Sequence, residues 1–198
     1  MVQQIRQLVG LGNIGPQYAE TRHNAGFHFI DAVASRYGVE LRQQSKFHGE
    51  VGRFRPPGCD HDIWLLKPET LMNRSGLAVA ALSRFHKIAV GEILIIHDEL
   101  DLPPGTVRLK QGGGDGGHNG LRDSSASLGS RDYHRLRLGI GHPGHSSQVT
   151  RFVLSRAPAA ERELTDAAIA SALELLPEIL SGDHQSVMNR LHTKATST

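Results

Sequence analysis

Cysteine is almost absent from this chain: Cys59 is the only one, so no intrachain disulfide can form. It sits in a Pro/Gly turn, Pro56-Pro57-Gly58-Cys59, and reads as a bystander. With no recognisable secretory leader either, the expected setting is the reducing cytoplasm. Long hydrophobic runs are missing too. None approaches the roughly 18 residues of a membrane span, so no membrane partner is expected. There is no internal repeat, no low-complexity tract and no linker-like stretch. Several catalytic signatures are also lacking: a Gly-x-Ser-x-Gly elbow, a Cys with a nearby His motif, a lysine-rich Schiff-base pocket. Covalent nucleophiles are thereby disfavoured, and water becomes the expected one. No His-Glu-x-x-His motif is present, and His142-Pro-Gly-His145 reads as a turn and not a helix face, so no metal and no cofactor are expected.

What is present is ordinary globular material. The 198 residues are 38% hydrophobic and 21% charged, which suits a single domain spanning 1–198 with a real core. Net charge is only +2, but it is unevenly placed. Residues 105–156 carry Arg108, Lys110, Arg122, Arg131, Arg135, Arg137, Arg151 and Arg156 against Asp115, Asp123 and Asp132. Residues 157–183 carry Glu161, Glu163, Asp166, Glu174, Glu178 and Asp183 against Arg162 alone. A basic stretch on a near-neutral chain suggests a local phosphate-binding face; a solvated mixed surface is the plainer alternative.

Periodicity orders the elements. Residues 5–9 read as a first strand and 23–37 as a helix closed by Gly38. Residues 47–55 form a weak strand and 62–67 a better one. Ser75 is a plausible N-cap for a helix to about Lys87. Residues 92–97 are nearly continuously apolar, as in a strand buried on both faces. Residues 106–110 and 135–140 alternate, with Lys110 and Arg137 on the polar faces. Between those two lie a glycine run and a short helix to about Leu128. The C-terminal third is helical, with Pro158 in a first turn and Pro177 bending or ending the helix. Helices at about 158–192 are expected to pack near the cleft, and the tail after Leu191 to fray. Strands alternating with helices imply an α/β fold: a three-layer sandwich with a twisted, mixed, mostly parallel sheet and helices on both faces.

The chemistry gathers at Thr21-Arg22-His23-Asn24-Ala25-Gly26, a strand–loop–helix junction. Open α/β sheets build sites at the carboxyl ends of their strands. The preceding Gly10-x-Gly12-x-x-Gly15 matches a dinucleotide fingerprint, but Pro16 follows at once and no acidic residue falls at a second strand end. Those glycines more plausibly let the backbone approach a ligand closely. His23 reads as a general base, since imidazole titrates near neutrality. Asp98, directly after the buried strand, either orients that imidazole or caps the following turn. Asn13, Asn73 and Asn119 could stabilise an oxyanion as neutral donors; each could equally be a turn or cap residue. Five glycines within 112–117 are harder to dismiss, because such a run carries a large unfolded-chain entropy. A loop of that kind suits motion or an extended substrate.

Taken together, Val9-Gly-Leu-Gly-Asn13, Tyr18, residues 21–26, Lys67-Pro68, Met72-Asn73-x-Ser75-Gly76, residues 97–105, Gly116-Gly-His-Asn-Gly120 and residues 135–141 occur in the order seen in bacterial peptidyl-tRNA hydrolase, which the chain resembles. The resemblance implies metal-independent hydrolysis of the ester joining a peptide to the terminal ribose of tRNA, by a cytoplasmic monomer acting in translation. It implies His23 as base and Asp98 as its orienter. Asn13, Asn73 and Asn119 would hold peptide, water or oxyanion. Tyr18 and Met72 match pocket positions, and His118 a position near the gate. Lys110 and Arg137 match residues gripping the phosphate of the tRNA end, which predicts salt-sensitive binding. Two departures stand out: Ile14 where the family usually has proline, and Asp115 in the glycine loop. A non-catalytic tRNA-binding module with the same basic face is the alternative.

Overall fold

The apolar run at 93–96 becomes the centre of a seven-stranded sheet in the computed structural model, which describes residues 3–194. Its strands are β1 (Gln7–Gly10), β2 (Arg42–Gln44), β3 (Gly49–Phe54), β4 (Ile63–Pro68), β5 (Ile93–Glu99), β6 (Val107–Gln111) and β7 (His134–Gly139). Their order across the sheet is β2-β3-β4-β1-β5-β7-β6. The centre, β4-β1-β5-β7, is parallel; β3 runs against β2 and β4, and β6 against β7. This is the mixed, mostly parallel sheet expected.

Both faces of that centre are covered, which explains why its strands carry no alternation. On β5, Leu94 and Ile96 join one core while Ile93 and Ile95 join the other. The first core is roofed by α1 (Ala25–Tyr37) and α5 (Ala159–Glu174), through Phe29, Ile30, Val33, Ile169 and Ala172. Helices α6 (Leu176–Ser181) and α7 (His184–Lys194) continue that layer with Ile179 and Val187. The second core lies under α2 (Ser75–Phe85) and α3 (Asn119–Leu128), through Val79, Leu82 and Leu121. Burial of each such side chain contributes about 1.5–3 kcal/mol, so both layers are needed to hold the sheet. A short helix, α4 (Val149–Val153), stands apart from these stacks.

Several boundaries differ from the pattern reading. His23 lies not in the helix but in a 3-10 turn, Arg22–Asn24, that precedes α1. Ser75 is not the N-cap of α2; Arg74 is, and Ser75 is the buried first residue, its hydroxyl donating to the Met72 carbonyl at 2.8 Å. The weak strand at 47–55 splits into a 3-10 turn, Ser45–Phe47, and β3. Edge strand β2 is wholly polar and carries no hydrophobic signal. Helix α5 ends at Glu174 and α6 begins at Leu176, with Pro177 in its first turn, as a proline there requires. Helix α7 runs past Leu191 to Lys194, and 195–198 lie outside the described residues.

Two of the glycines near the N-terminus, Gly10 and Gly12, serve packing against α1. A Cβ on Gly10 would collide with the Gly26 carbonyl and Ile30, and one on Gly12 with the Phe27 ring. A Cβ on Gly26 would sit 2.5 Å from both Ile96 O and Leu11 N. Helix α1 therefore starts flush against the carboxyl ends of β1 and β5. From there α1 leaves to one face, while α2, after β4, leaves to the other. The crevice between such diverging connections is where open α/β sheets place their ligands.

Candidate active site

Asp98, at the end of β5, is 3% exposed and is gripped on both oxygens. His23, from the turn before α1, donates Nδ1–H to its Oδ2 at 2.9 Å. His118, from the end of the glycine run, meets its Oδ1 through Nε2 at 2.8 Å. The tautomer of His118 follows from its other nitrogen. Nδ1 accepts backbone N–H groups from Gly120 at 3.2 Å and Leu121 at 3.4 Å, capping α3. It must therefore carry a lone pair, which puts the proton on Nε2 and makes it the donor to Asp98. His97 adds a third imidazole from behind, its Nδ1–H donating to the Asp98 carbonyl at 2.8 Å.

Burial and charge pull against each other here. Burial alone would raise the Asp98 carboxyl; the facing imidazoles of His23 and His118 outweigh it and hold the group well below the usual carboxylate range. For His23, burial lowers the pKa, but the Asp98 charge and hydrogen bond prevail and the value is raised above 6.5. For His97 the bond to the Asp98 carbonyl and the Asp98 charge are outweighed: burial, then His118, pushes it down to about 3, so it stays neutral. The site is thus one fixed negative charge behind one imidazole whose Nε2 remains as the basic nitrogen.

A cleft of about 350 Å³ opens over this group. Asn13, Tyr18, Met72, Asn73, His118 and Asn119 all line it together with His23 and Asp98. The structure therefore brings together every residue expected at the reacting centre. Asn13 is held firmly: Asn24 clamps its backbone, accepting from its N–H at 2.8 Å and donating to its carbonyl at 2.9 Å. Its side-chain Oδ1 accepts from Met72 N–H at 3.2 Å, which assigns the amide and leaves the amine end for the cleft. Asn73 enters from the 3-10 turn Met72–Arg74, and Asn119 is the first residue of α3. Asp115 orders the turn before His118: its Oδ1 accepts from Gly117 N–H at 2.9 Å and its carbonyl from His118 N–H at 2.9 Å.

Lys110 and Arg137 do not line this cleft. Arg137 lies opposite Arg108 in the β6–β7 register, two residues from Lys110, so the pair shares one face. Lys110 is exposed, whereas Arg137 is paired with Glu99 at 3.0 Å, and Glu99 lines the cleft. Arg137 thus adjoins the cleft's rim through Glu99 without entering it.

Pattern reading missed the far wall. Leu71 supplies one apolar flank, and Val149, Val153 and Leu154, from and beside α4, supply the other. None of residues 158–192 lines the cleft; that layer touches the region through Glu161. Arg22 fixes α4 in place. Its guanidinium donates to Phe152 O at 3.2 Å, Ser155 Oγ at 2.6 Å and Glu161 Oε2 at 3.1 Å, and stacks 4.0 Å from the Phe152 ring centroid. Only its place beside His23 could have flagged Arg22, and Asn24 likewise. His23, Asp98 and His118 also offer ligand atoms within 4.8 Å of one another, so the group could hold a cation. Binding one there would disrupt both hydrogen bonds to Asp98.

Comparison with known proteins agrees with this geometry. The family model for peptidyl-tRNA hydrolase matches residues 7–198. The peptidyl-tRNA hydrolase of Neisseria gonorrhoeae (strain NCCP11945) is 52% identical over 190 residues, covering 96% of this chain and 98% of that one. That of Pseudomonas aeruginosa (strain LESB58) is 54% identical over 191 residues, covering 96% and 97%. A crystal structure of peptidyl-tRNA hydrolase from Acinetobacter baumannii superposes with a TM-score of 0.92 at 49% identity, covering 96% of each chain.

Proposed function

Because this chain belongs to the peptidyl-tRNA hydrolase family, we propose that its hydrolysis of peptidyl-tRNA runs through His23 as general base on a water molecule, with Asp98 behind it. The observation that carries the reading is the 2.9 Å bond from His23 Nδ1 to Asp98, which leaves Nε2 as the base in a cleft lined by amides.

Water deprotonated at Nε2 attacks the ester carbonyl carbon, and negative charge gathers on the carbonyl oxygen. The amine groups of Asn13, Asn73 and Asn119 are the donors for that oxygen and for the peptide. One well-placed donor of this kind accelerates such a step roughly 100- to 1,000-fold. His118 holds Asp98 from its second side. Tyr18, Met72, Leu71 and Leu154 face the peptide with apolar surface. Lys110 and Arg137 bind the phosphate at the tRNA end, so that contacts remote from the ester position it. In this reading the chain acts as one domain, as a monomer, in the cytoplasm, with no metal and no membrane partner.

The test is ester cleavage of peptidyl-tRNA by purified wild type and His23→Ala, with chelator present. Wild type should turn over in chelator. His23→Ala should lose at least about 100-fold in rate, the lower end of general-base catalysis, while still binding deacylated tRNA. Turnover by His23→Ala, arrest of the wild type by chelator, or tRNA binding without turnover in the wild type would each overturn the reading; the last would make the chain a tRNA-binding module.

A further inference from the structure

We infer that Arg135 is a positioning residue for this hydrolysis, holding the 112–118 loop so that His118 and Asn119 reach the cleft. The inference rests on the assignment of those two residues to the reacting site.

Arg135 lies on β7, 3% exposed, yet no carboxylate pairs with it among the described residues. Its two terminal nitrogens donate instead to neighbouring carbonyls of the glycine run: Nη2 to Gly113 O at 2.7 Å, and Nη1 to Gly114 O. A planar guanidinium fork suits two adjacent acceptors in a way that a single ammonium does not. A buried cation without a counter-ion is a poor way to fill a core, and an apolar side chain would pack there at less desolvation cost. The placement is explained by the two carbonyls it binds.

The loop needs such a tether. Gly112, Gly113, Gly116 and Gly117 all hold left-handed φ values, and no apolar side chain in the run is available to bury. Asp115 organises only the local turn, and its other partner, Arg122, belongs to α3, downstream of the loop. At the loop's start, Gly112 N–H donates to Tyr133 O at 3.0 Å. Arg135 is what joins its middle to the sheet. Tyr133, the residue before β7, underpins α3 in the same way. The guanidinium lies 4.8 Å from the Tyr133 ring centroid, and the Tyr133 hydroxyl bonds Leu121 O at 3.3 Å and Ser125 Oγ at 2.9 Å. Loop and helix start are thus registered against one support, and where they meet, His118 reaches Asp98.

The experiment compares wild type, Arg135→Met and Arg135→Lys, with His23→Ala in parallel. It reads kcat and KM on peptidyl-tRNA, affinity for deacylated tRNA, and amide hydrogen exchange. Arg135→Met fills the space without donors. Its kcat should fall roughly 10- to 100-fold, the scale set by misplacing catalytic groups by about 1 Å. KM and tRNA affinity should hold, and exchange should quicken at 113–118 while β5 stays protected. Arg135→Lys should fall between the two. A folded Arg135→Met with wild-type kcat, or with unchanged exchange at 113–118, overturns the inference. So does lost tRNA affinity with kcat intact, which would make Arg135 a phosphate ligand. If Arg135→Met does not fold, wild-type exchange at 113–118 in Arg135→Lys overturns it equally. Wild-type hydrolysis by His23→Ala would overturn the site reading instead, whatever the Arg135 variants do.

Discussion

A carboxylate presents two acceptor oxygens and a negative charge; an amide presents one acceptor oxygen and no charge. Asp98 meets His23 Nδ1 with both oxygens, Oδ1 at 3.0 Å and Oδ2 at 2.9 Å, and His118 Nε2 with Oδ1 at 2.8 Å, both rings donating. In Asp98→Asn both rings must share one oxygen, the amine faces an N–H, and the charge behind His23 is gone. We expect kcat to fall by about 100- to 10,000-fold, the span that general-base catalysis contributes. The pH profile should move as well. In the wild type, burial lowers the His23 pKa, but Asp98 more than compensates and raises it above 6.5. The base works only when unprotonated, so the rising limb of kcat/KM should lie above 6.5. Without the charge, burial prevails and the limb should shift to lower pH even as the plateau drops. A limb that stays in place would refute the Asp98 assignment. The measurement is kcat/KM across pH for both proteins.

Among the elements, the junction of α1 with β1 and β5 decides where His23 stands. Gly26→Ala would put a methyl 2.5 Å from Ile96 O and Leu11 N, both of them backbone atoms that cannot give way cheaply. Overpacking of this kind costs about 1–3 kcal/mol. We expect urea denaturation to show that loss, and kcat to fall with it because the turn carrying His23 is displaced. This junction also shows what the amino-acid pattern could and could not reveal. The run at 93–96 announced a strand buried on both faces, and strand ends pointed to Asp98 and to the loop holding Asn13, so the gathering of these residues in one cleft was legible. The glycine spacing at 10–15 was legible only as closeness; whether to ligand or to helix was not. Arg22 finds its partners more than a hundred positions away, at Phe152, Ser155 and Glu161, and no local rule reports such a contact. The polar edge strand β2 and the buried Ser75 escaped for the converse reason. Their roles come from neighbours that pair with or cover them, and not from their own propensities.

Across the whole molecule, the uneven charge resolves into two uses. Much of the acidic C-terminal stretch is tied to arginines, through Glu161–Arg22, Glu174–Arg36 and Glu178–Arg190. Several cations of the basic stretch, among them Lys110, Arg122 and Arg131, stay exposed. Far from the cleft, β7 meets α7 through His134 and His184, ring centroids 4.1 Å apart. Burial, then His184, pushes His134 down to about 4. Its unfolded value is 6.5, so between these values the unfolded chain binds the extra proton. Stability should therefore be full above 6.5 and decline as pH falls towards 4. In His134→Gln that decline should be shallower, by a few kcal/mol at most at about 1.4 kcal/mol per pH unit. Denaturant midpoints at several pH values check this; parallel slopes for the two proteins would remove His134 from the account.

The twofold grip on Asp98 has a last consequence, for proton traffic. With both oxygens occupied and its ionised form so strongly favoured, that side chain is no reservoir for the hydrogen lifted from water. In the proposed reaction the hydrogen stays on the His23 ring until an acceptor appears, and the ribose oxygen set free by ester cleavage is the one at hand. Each turnover then restores the starting state by itself, without exchange with buffer.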